Sequence, residues 1–302
     1  MGIAHWDDVE KHRNERGQMA GTWTNLGSAA GSYRCGVHRI ELGSQEMPTP
    51  AHVHGEAEEI FYVLSGTGLT WMDGKAYDVR AGDCIVYKNF HEAHTIRAGD
   101  HGLDVLAFGP REYFTSSELP RGGSMWSITG YIEVHDGHPW DREPDLDWPE
   151  PEPERPPTIV NVADVESDVF GGCSRRYLGD AAGSRWTGLT HIECRPGMTS
   201  GPPHVHSAEE EIFVVLDGAG ALELWPEEQQ AVRTGSVVAM PPGLGVAHTF
   251  RGGENGLTFL AWGTREPNDI CWYPRSKKML WRGVGVIGRI EELDYWDGEG
   301  IE

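Results

Sequence analysis

No stretch of this 302-residue chain reaches the roughly 18 consecutive apolar residues that suggest a membrane-spanning helix. The opening residues, Met1 to Asp8, lack the basic-then-apolar order of a secretory leader, so a soluble cytoplasmic protein is expected. Clustered positive charge is missing as well: 25 Lys and Arg stand against 47 Asp and Glu, a formal net charge of -22. That balance excludes nucleic acid and anionic membrane as partners, since both are polyanions that need a basic surface. The five cysteines, Cys35, Cys84, Cys173, Cys194 and Cys271, are odd in number and include no Cys-x-x-Cys. Neither a disulfide framework nor a cysteine-based zinc site is expected, and the thiols are read as reduced and mostly buried. Helical periodicity is weak, confined to Trp6 to Arg16, where Trp6, Val9 and Arg13 share a face, and to a turn near Val162 to Glu166.

What the chain has instead is a repeated set of metal-binding side chains. His52-Val53-His54, Glu59 and His94 return as His204-Val205-His206, Glu211 and His248. Positions 204 minus 52, 206 minus 54, 211 minus 59 and 218 minus 66 all give 152, and 248 minus 94 gives 154, which implies a two-residue indel. The neighbouring text keeps step: Glu58-Glu59-Ile60-Phe61 against Glu210-Glu211-Ile212-Phe213, and Leu106-Ala107-Phe108-Gly109 against Leu260-Ala261-Trp262-Gly263. Two copies of one fold is the economical reading.

Within each copy, short β-rich runs stop at glycine-containing turns. Ile60 to Leu64 ends at Ser65-Gly66, Gly68 to Met72 ends at the hairpin signal Asp73-Gly74, and Cys84 to Tyr87 leads towards His94. Regular short strands with such turns predict an antiparallel sandwich or barrel. Asp141 to Glu154 is acidic and proline-rich and reads as an extended linker. The stretch from Ile270 to Trp296, rich in Trp and Tyr, is expected to add strands or an arm to one barrel.

Side chains alternate along a strand, so His52 and His54 point to one side and can share one ion. Glu59 then opens the next strand, and His94 returns beyond a hairpin. Three imidazoles and one carboxylate suit Fe(II), Mn(II), Ni(II), Co(II) or Zn(II), and an ion that prefers six ligands would keep two positions for substrate or oxygen. His91, three residues before His94, is read as an exposed turn residue rather than an alternative ligand, and His38, His101 and His191 receive no role.

The spacing resembles the cupin superfamily, whose first motif reads His-x-His, three or four residues, Glu, six residues, Gly. Here Glu59 and Gly66, and Glu211 and Gly218, keep that last interval. A second motif runs from Gly through Pro-x-Gly to the last ligand. Gly235, Pro241, Gly243 and His248 match it, whereas Lys88-Asn89-Phe90 replaces Pro-x-Gly between Gly82 and His94. The resemblance covers about residues 34 to 112 and 186 to 266. It implies an all-β fold of two tandem jelly-roll β-barrels (a bicupin) with short accessory helices and up to two divalent transition metals per chain, Fe or Mn favoured. The expected division is an N-terminal arm 1–33, a first barrel 34–134, a linker 135–158, a second barrel 159–269 and a C-terminal strand or arm 270–302.

The superfamily hosts several chemistries, so the site must decide among them. Bicupin oxalate decarboxylases carry an Arg three residues before the first His, and here Thr49 and Gly201 stand there. Phe61, Trp71, Phe90 and Phe108 in one copy, and Phe213, Trp225, Phe250 and Trp262 in the other, are candidates to line a pocket, although most are expected to be ordinary barrel core. The favoured expectation is a dioxygenase-like oxidoreductase on a small enol or phenol chelated to the metal, with Glu59 or Glu211 accepting its proton. The alternatives are a non-oxidative isomerase, epimerase or lyase, and a non-catalytic small-molecule binder. The Pro241-Pro242-Gly243 turn and the richer aromatic set make the second copy the expected catalytic one, and a homodimer is expected.

Overall fold

The computed structural model describes all residues except 56, 89, 91, 112–115, 128–129, 133–137 and 301–302. The chain is almost entirely β and forms two barrels of the jelly-roll type. In the first, an eight-stranded sheet runs in the order Ile159–Asn161, Asp83–Tyr87, Glu59–Met72, His94–Pro110, Cys35–Leu42, Met19–Asn25 and Lys11–Arg16, with Lys75–Arg80 paired to Glu59–Met72. The second repeats this order with Gly2–His5, Ser236–Met240, Glu211–Leu224, His248–Gly263, Gly188–Cys194, Cys173–Tyr177 and Asp168–Phe170, with Glu228–Arg233 paired to Glu211–Leu224. A small four-stranded sheet completes each barrel: Val53–His54 joins Ser116–Leu119, Ser124–Ser127 and Gly130–Ile132, and Val205–His206 joins Ile270–Tyr273, Lys278–Trp281 and Val286–Arg289.

Alternation explains the continuous apolar runs of the central strands. Phe61, Val63, Ile85, Tyr87, Val105 and Ala107 fill the first barrel, while the residues between them, Ile60, Tyr62, Cys84, Val86, Leu106 and Phe108, face the other barrel. The second barrel does the same, with Phe213, Val215, Val238 and Phe259 inside and Ile212, Val214, Val237, Ala239, Leu260 and Trp262 in the shared layer. Strands covered on both faces lose the polar alternation of a one-sided sheet. At the middle of the layer the rings of Phe108 and Trp262 stack with centroids 6.3 Å apart.

The two barrels also exchange parts. Gly2–His5 pairs with Ser236–Met240 of the second barrel, and Ile159–Asn161, which follows the linker, pairs with Asp83–Tyr87 of the first. The residue before each candidate metal-ligating glutamate binds the opposite barrel through backbone amides. Buried Glu58 accepts from the Ser184 hydroxyl (2.7 Å) and from the Arg185 and Trp186 amides (3.1 Å each). Glu210 accepts from the amides of Tyr33 (3.3 Å), Arg34 (2.6 Å) and Cys35 (2.9 Å). Those amides follow single-turn helices, Leu26–Ala29 and Leu178–Ala181.

Two expectations are overturned. Trp6 to Arg16 is not helical: Lys11–Arg16 is an exposed edge strand joined to Met19–Asn25 by a tight turn at Gly17, whose φ of 57° suits glycine. Trp6 is held elsewhere, its amide donating to Gly235 (3.0 Å) and its ring lying under the Arg39 guanidinium at 4.4 Å. The cysteines are not all reduced, since Cys173 and Cys194 form a disulfide between adjacent strands. They face each other in the strand register, a proximity that linear spacing hides.

Candidate metal centres

Each cluster is assembled by backbone pairing at one barrel end. His52 and His94 pair through both amides (3.1 and 3.0 Å), and His204 and His248 do likewise (3.2 and 2.9 Å). Glu59 and Glu211 open the long strands Glu59–Met72 and Glu211–Leu224, and their carboxylates turn to the imidazoles. In the first cluster His52 Nε2 lies 3.2 Å from His54 Nε2, and Glu59 Oε2 lies 3.3 Å from Nε2 of both His54 and His94. In the second, Glu211 Oε2 is 3.2 Å from His248 Nε2, 3.3 Å from His206 Nε2 and 3.8 Å from His204 Nε2. Nitrogen and oxygen ligands bound at about 2.1 Å to one ion sit about 3 Å apart when adjacent, so these spacings fit a shared divalent metal.

The outer ring nitrogens fix which atoms face inward. Nδ1 of His52, His94 and His204 each donates to a carbonyl two residues earlier, Pro50 (2.9 Å), Glu92 (3.0 Å) and Pro202 (3.0 Å). A carbonyl can only accept, so the Nε2 lone pairs are left for an ion. In the second cluster the buried atoms His206 Nε2, Glu211 Oε2 and His248 Nε2 make no hydrogen bond. Buried polar atoms without partners are costly, and a cation would satisfy all three.

Electrostatics separates the four imidazole–carboxylate partners from the two that resist charge. Burial, aided by the neighbouring imidazoles, pulls His52 down to about 3 and His204 down to about 4. Burial opposes charge on His54 too, yet Glu59 raises it. His206 is pushed up to about 11, because Glu211 and Asp269 outweigh its burial. Burial disfavours both carboxylates, and the imidazoles nonetheless hold Glu59 and Glu211 well below the usual range.

The surroundings of the two clusters differ. His54 Nδ1 meets the Ser117 hydroxyl at 3.2 Å. His206 Nδ1 donates to the buried carboxylate of Asp269 at 2.6 Å, which also accepts from the amides of Ala208 (2.9 Å) and Glu209 (3.2 Å). Arg282 pairs with Glu209 beside it. Neither Ser117 nor Asp269 was legible in advance, since both lie far along the chain from the motif; their place near the register of His54 and His206 is the only signal.

Two cavities reach the first cluster. One of 180 Å³ is lined by His54, Glu59, His38, Arg111, Ser117 and Trp126 among others; another, of 230 Å³, runs past His52, Thr49, Leu119, Trp126 and Trp140. Larger concavities of 690 and 870 Å³ contain none of the eight ligand residues, and chemistry rather than size marks the site. Most of the eight candidate aromatics are core residues, as expected. Phe108 and Trp262 belong to the interbarrel layer, Phe61, Phe213 and Phe250 to the barrel cores, and Trp71 to a small cluster with Ala51 and Ala93. Phe90 and Trp225 are exposed. Trp126 and Trp140 line the cavities instead, and Tyr87 stacks on His94 with centroids 3.9 Å apart. His38 shares the inward face of Cys35–Leu42 with Ile40 and Leu42 and borders the cavity. His101 is exposed, His191 is buried 3.5 Å from Glu193, and His91 lies outside the described residues.

A paired arrangement of three histidines and a glutamate, each set at the mouth of a jelly-roll barrel, defines a double-barrelled cupin. The family model described as the Cupin domain matches residues 38–107 and 190–262, one match in each barrel. Its fold is similar to that of oxalate decarboxylase from Lactobacillus farciminis in a formate complex, at 13% identity and a TM-score of 0.58, covering 87% of this chain and 86% of that one. A point variant of Bacillus subtilis oxalate decarboxylase matches at 16% identity and a TM-score of 0.60, covering 87% and 77%. Another structure of the Bacillus subtilis enzyme, described for its Mn(II) centres, matches at 14% and 0.58, with the same coverage. Among the described residues no helix is long and apolar enough to cross a membrane.

Proposed function

We propose that the first barrel is the working site of a metal-dependent enzyme acting on a small organic molecule, with a divalent ion held by His52, His54, Glu59 and His94. The observation that carries this is the 180 Å³ cavity, which meets the ligand set at His54 and Glu59. The second set, His204, His206, Glu211 and His248, would hold a companion ion; Tyr273 lies against it, its ring 5.9 Å from that of His204. This reverses the barrel preference drawn from the Pro-Pro-Gly turn.

Fe or Mn bound there would polarise a chelated enol or phenol oxygen and make it reactive towards O2. The chain's own contributions are simpler. Glu59, which borders the cavity, is the carboxylate placed to accept the proton of the substrate hydroxyl. His52 stays neutral and keeps a lone pair for the ion. Trp126 walls both cavities and limits the substrate to a compact molecule. The reading is therefore a dioxygenase-like oxidoreductase.

A non-oxidative lyase is the second reading, favoured by the small cavity and by the fold's likeness to decarboxylases. Oxalate itself is disfavoured by Thr49 and Gly201. A homodimer is also proposed, because the edge strand Asp168–Phe170 exposes Val169 and Phe170 at 71% and 64%; sedimentation equilibrium giving only monomer would reject it.

The experiment is elemental analysis of protein purified without chelator, beside His94→Ala and His248→Ala, followed by oxygen uptake with a panel of enols and phenols. Two equivalents of divalent transition metal are expected, with the Fe or Mn equivalent and the oxygen uptake lost in His94→Ala and the other equivalent lost in His248→Ala. Turnover under nitrogen would move the assignment to the lyase, and metal-free protein that cannot be reconstituted would end the enzyme reading.

A further inference from the structure

The two clusters are near copies, yet the residue opposite the second histidine of each motif differs. Ser117 pairs with His54 in the strand register of the first barrel, and Cys271 pairs with His206 in the second. Directly opposed residues of an antiparallel pair project to one face of the sheet, so each side chain is delivered to the side its histidine occupies. The offset of 271 minus 117, or 154, equals that of the last ligand histidines, 248 minus 94. Ser117 is engaged with His54 Nδ1 at 3.2 Å. In the second barrel Nδ1 is taken by Asp269, which leaves the sulfur free of that duty.

Three facts place the sulfur in range of an ion. The ligand atoms of His204, His206 and Cys271 all lie within 4.8 Å of one another. A sulfur and a nitrogen bound on opposite sides of one zinc-like ion are separated by about 4.4 Å, a separation of the same order as this grouping. Cys271 is a free thiol, 3% exposed. His204 is common to this group and to the group it forms with Glu211 and His248, and Nε2 of His206 and His248 and Oε2 of Glu211 are buried and unpartnered.

We infer that Cys271 is a thiolate ligand of the ion in the second barrel, which gives that site a sulfur donor the first barrel lacks. This rests on the reading that His204, His206, Glu211 and His248 hold a metal. Binding breaks the S–H bond, forms a metal–sulfur bond and sends the proton to solvent, with no change of oxidation state. Thiolate favours softer ions such as Zn(II) or Co(II) over Mn(II). The second barrel therefore selects a different metal from the first, and one chain carries two kinds of centre.

The test loads metal-free His94→Ala protein, in which only the second site is complete, with Co(II) under nitrogen and reads both the near-ultraviolet spectrum and the X-ray absorption fine structure at the cobalt edge. One equivalent of cobalt, a sulfur-to-cobalt charge-transfer band and a sulfur scatterer at about 2.3 Å are expected, with band and scatterer lost in His94→Ala/Cys271→Ser. One equivalent bound by nitrogen and oxygen alone, or a band that survives Cys271→Ser, would overturn the role of Cys271 and leave the second site standing. No cobalt in His94→Ala, with one equivalent in His248→Ala, would overturn the second metal site and the inference together. If the double variant fails to fold, the scatterer in His94→Ala decides alone. Ser117→Cys in the His248→Ala background offers the converse, a band gained at the first site.

Discussion

Consecutive glutamates in each copy do opposite jobs because adjacent strand residues face opposite ways. Glu59 and Glu211 turn into the barrel mouth, while Glu58 and Glu210 turn out and accept backbone amides from the other barrel. Replacing Glu210 by Ala removes the carboxylate that accepts from the buried Cys35 amide and the part-buried Tyr33 and Arg34 amides, and charge-assisted bonds of this kind contribute about 2 kcal/mol each when buried. Glu210→Ala is expected to lower metal-free stability by roughly 3 kcal/mol, whereas Glu211→Gln should alter metal content far more than stability. Urea midpoints of the two variants check this, and equal midpoints would refute the clamp. A second prediction concerns protons. His206 is held charged in the metal-free fold to about pH 11 by Glu211 and Asp269. A raised histidine pKa adds stability that is full below its unfolded value and is lost as pH rises through the folded one. At pH 8 an ion entering the second site must displace that proton, while His54, its counterpart in the first site, has Glu59 alone to raise it and no second carboxylate. Zinc calorimetry in buffers of different ionisation heat should show more proton release from His94→Ala than from His248→Ala protein. Equal release would contradict the contrast.

At the level of strands, the parts legible in advance were those that impose a local pattern. The His-x-His pair, the glutamate and the last histidine sit at strand ends whose period of two fixes their direction, so the clusters were readable from spacing alone. What the pattern could not carry was lateral register. The neighbours of the clusters, Ser117, Asp269 and Cys271, come from strands that join the barrel late, and nothing local marks which residue faces which histidine. Lys11–Arg16 was misread because its edge position leaves all six residues exposed, with no apolar period to declare a strand. Cys173 and Cys194 were missed for the same lateral reason, being direct partners across 21 positions of sequence. Their bond closes a loop of a size that contributes roughly 3 kcal/mol in the chain-entropy account. Alkylation of denatured, unreduced protein should block three thiols, Cys35, Cys84 and Cys271, and Cys194→Ala should lower the urea midpoint. Five alkylated thiols would remove the bond.

On the scale of the molecule, the exchange of first strands makes the two barrels one cooperative unit. Gly2–His5 belongs to the first copy by sequence and to the second by pairing, and Ile159–Asn161 stands in the mirrored position. The shared apolar layer seals the arrangement, for Ile60, Val86 and Phe108 lie in one buried cluster with Ile212, Val237 and Trp262 of the other barrel. A cut in the acidic linker near Glu150 therefore gives two fragments, each holding a strand the other needs. Separately, residues 1–150 would expose a large apolar sheet face and leave Asp83–Tyr87 unpaired along one edge, a recipe for aggregation. Residues 151–302 would lack the partner of Ser236–Met240. Expressed alone, both fragments are expected to be insoluble or to unfold without a cooperative transition; expressed together, they should purify as a one-to-one complex with the metal content of the intact chain. The chain shortened by residues 1–8 refines the test, since it removes only the strand owed to the second barrel: the metal sensitive to His248→Ala should be lost first while that sensitive to His94→Ala remains. Either fragment alone giving a soluble, metal-bound barrel with a sharp urea transition would show that the exchange decorates two independent domains rather than joining them.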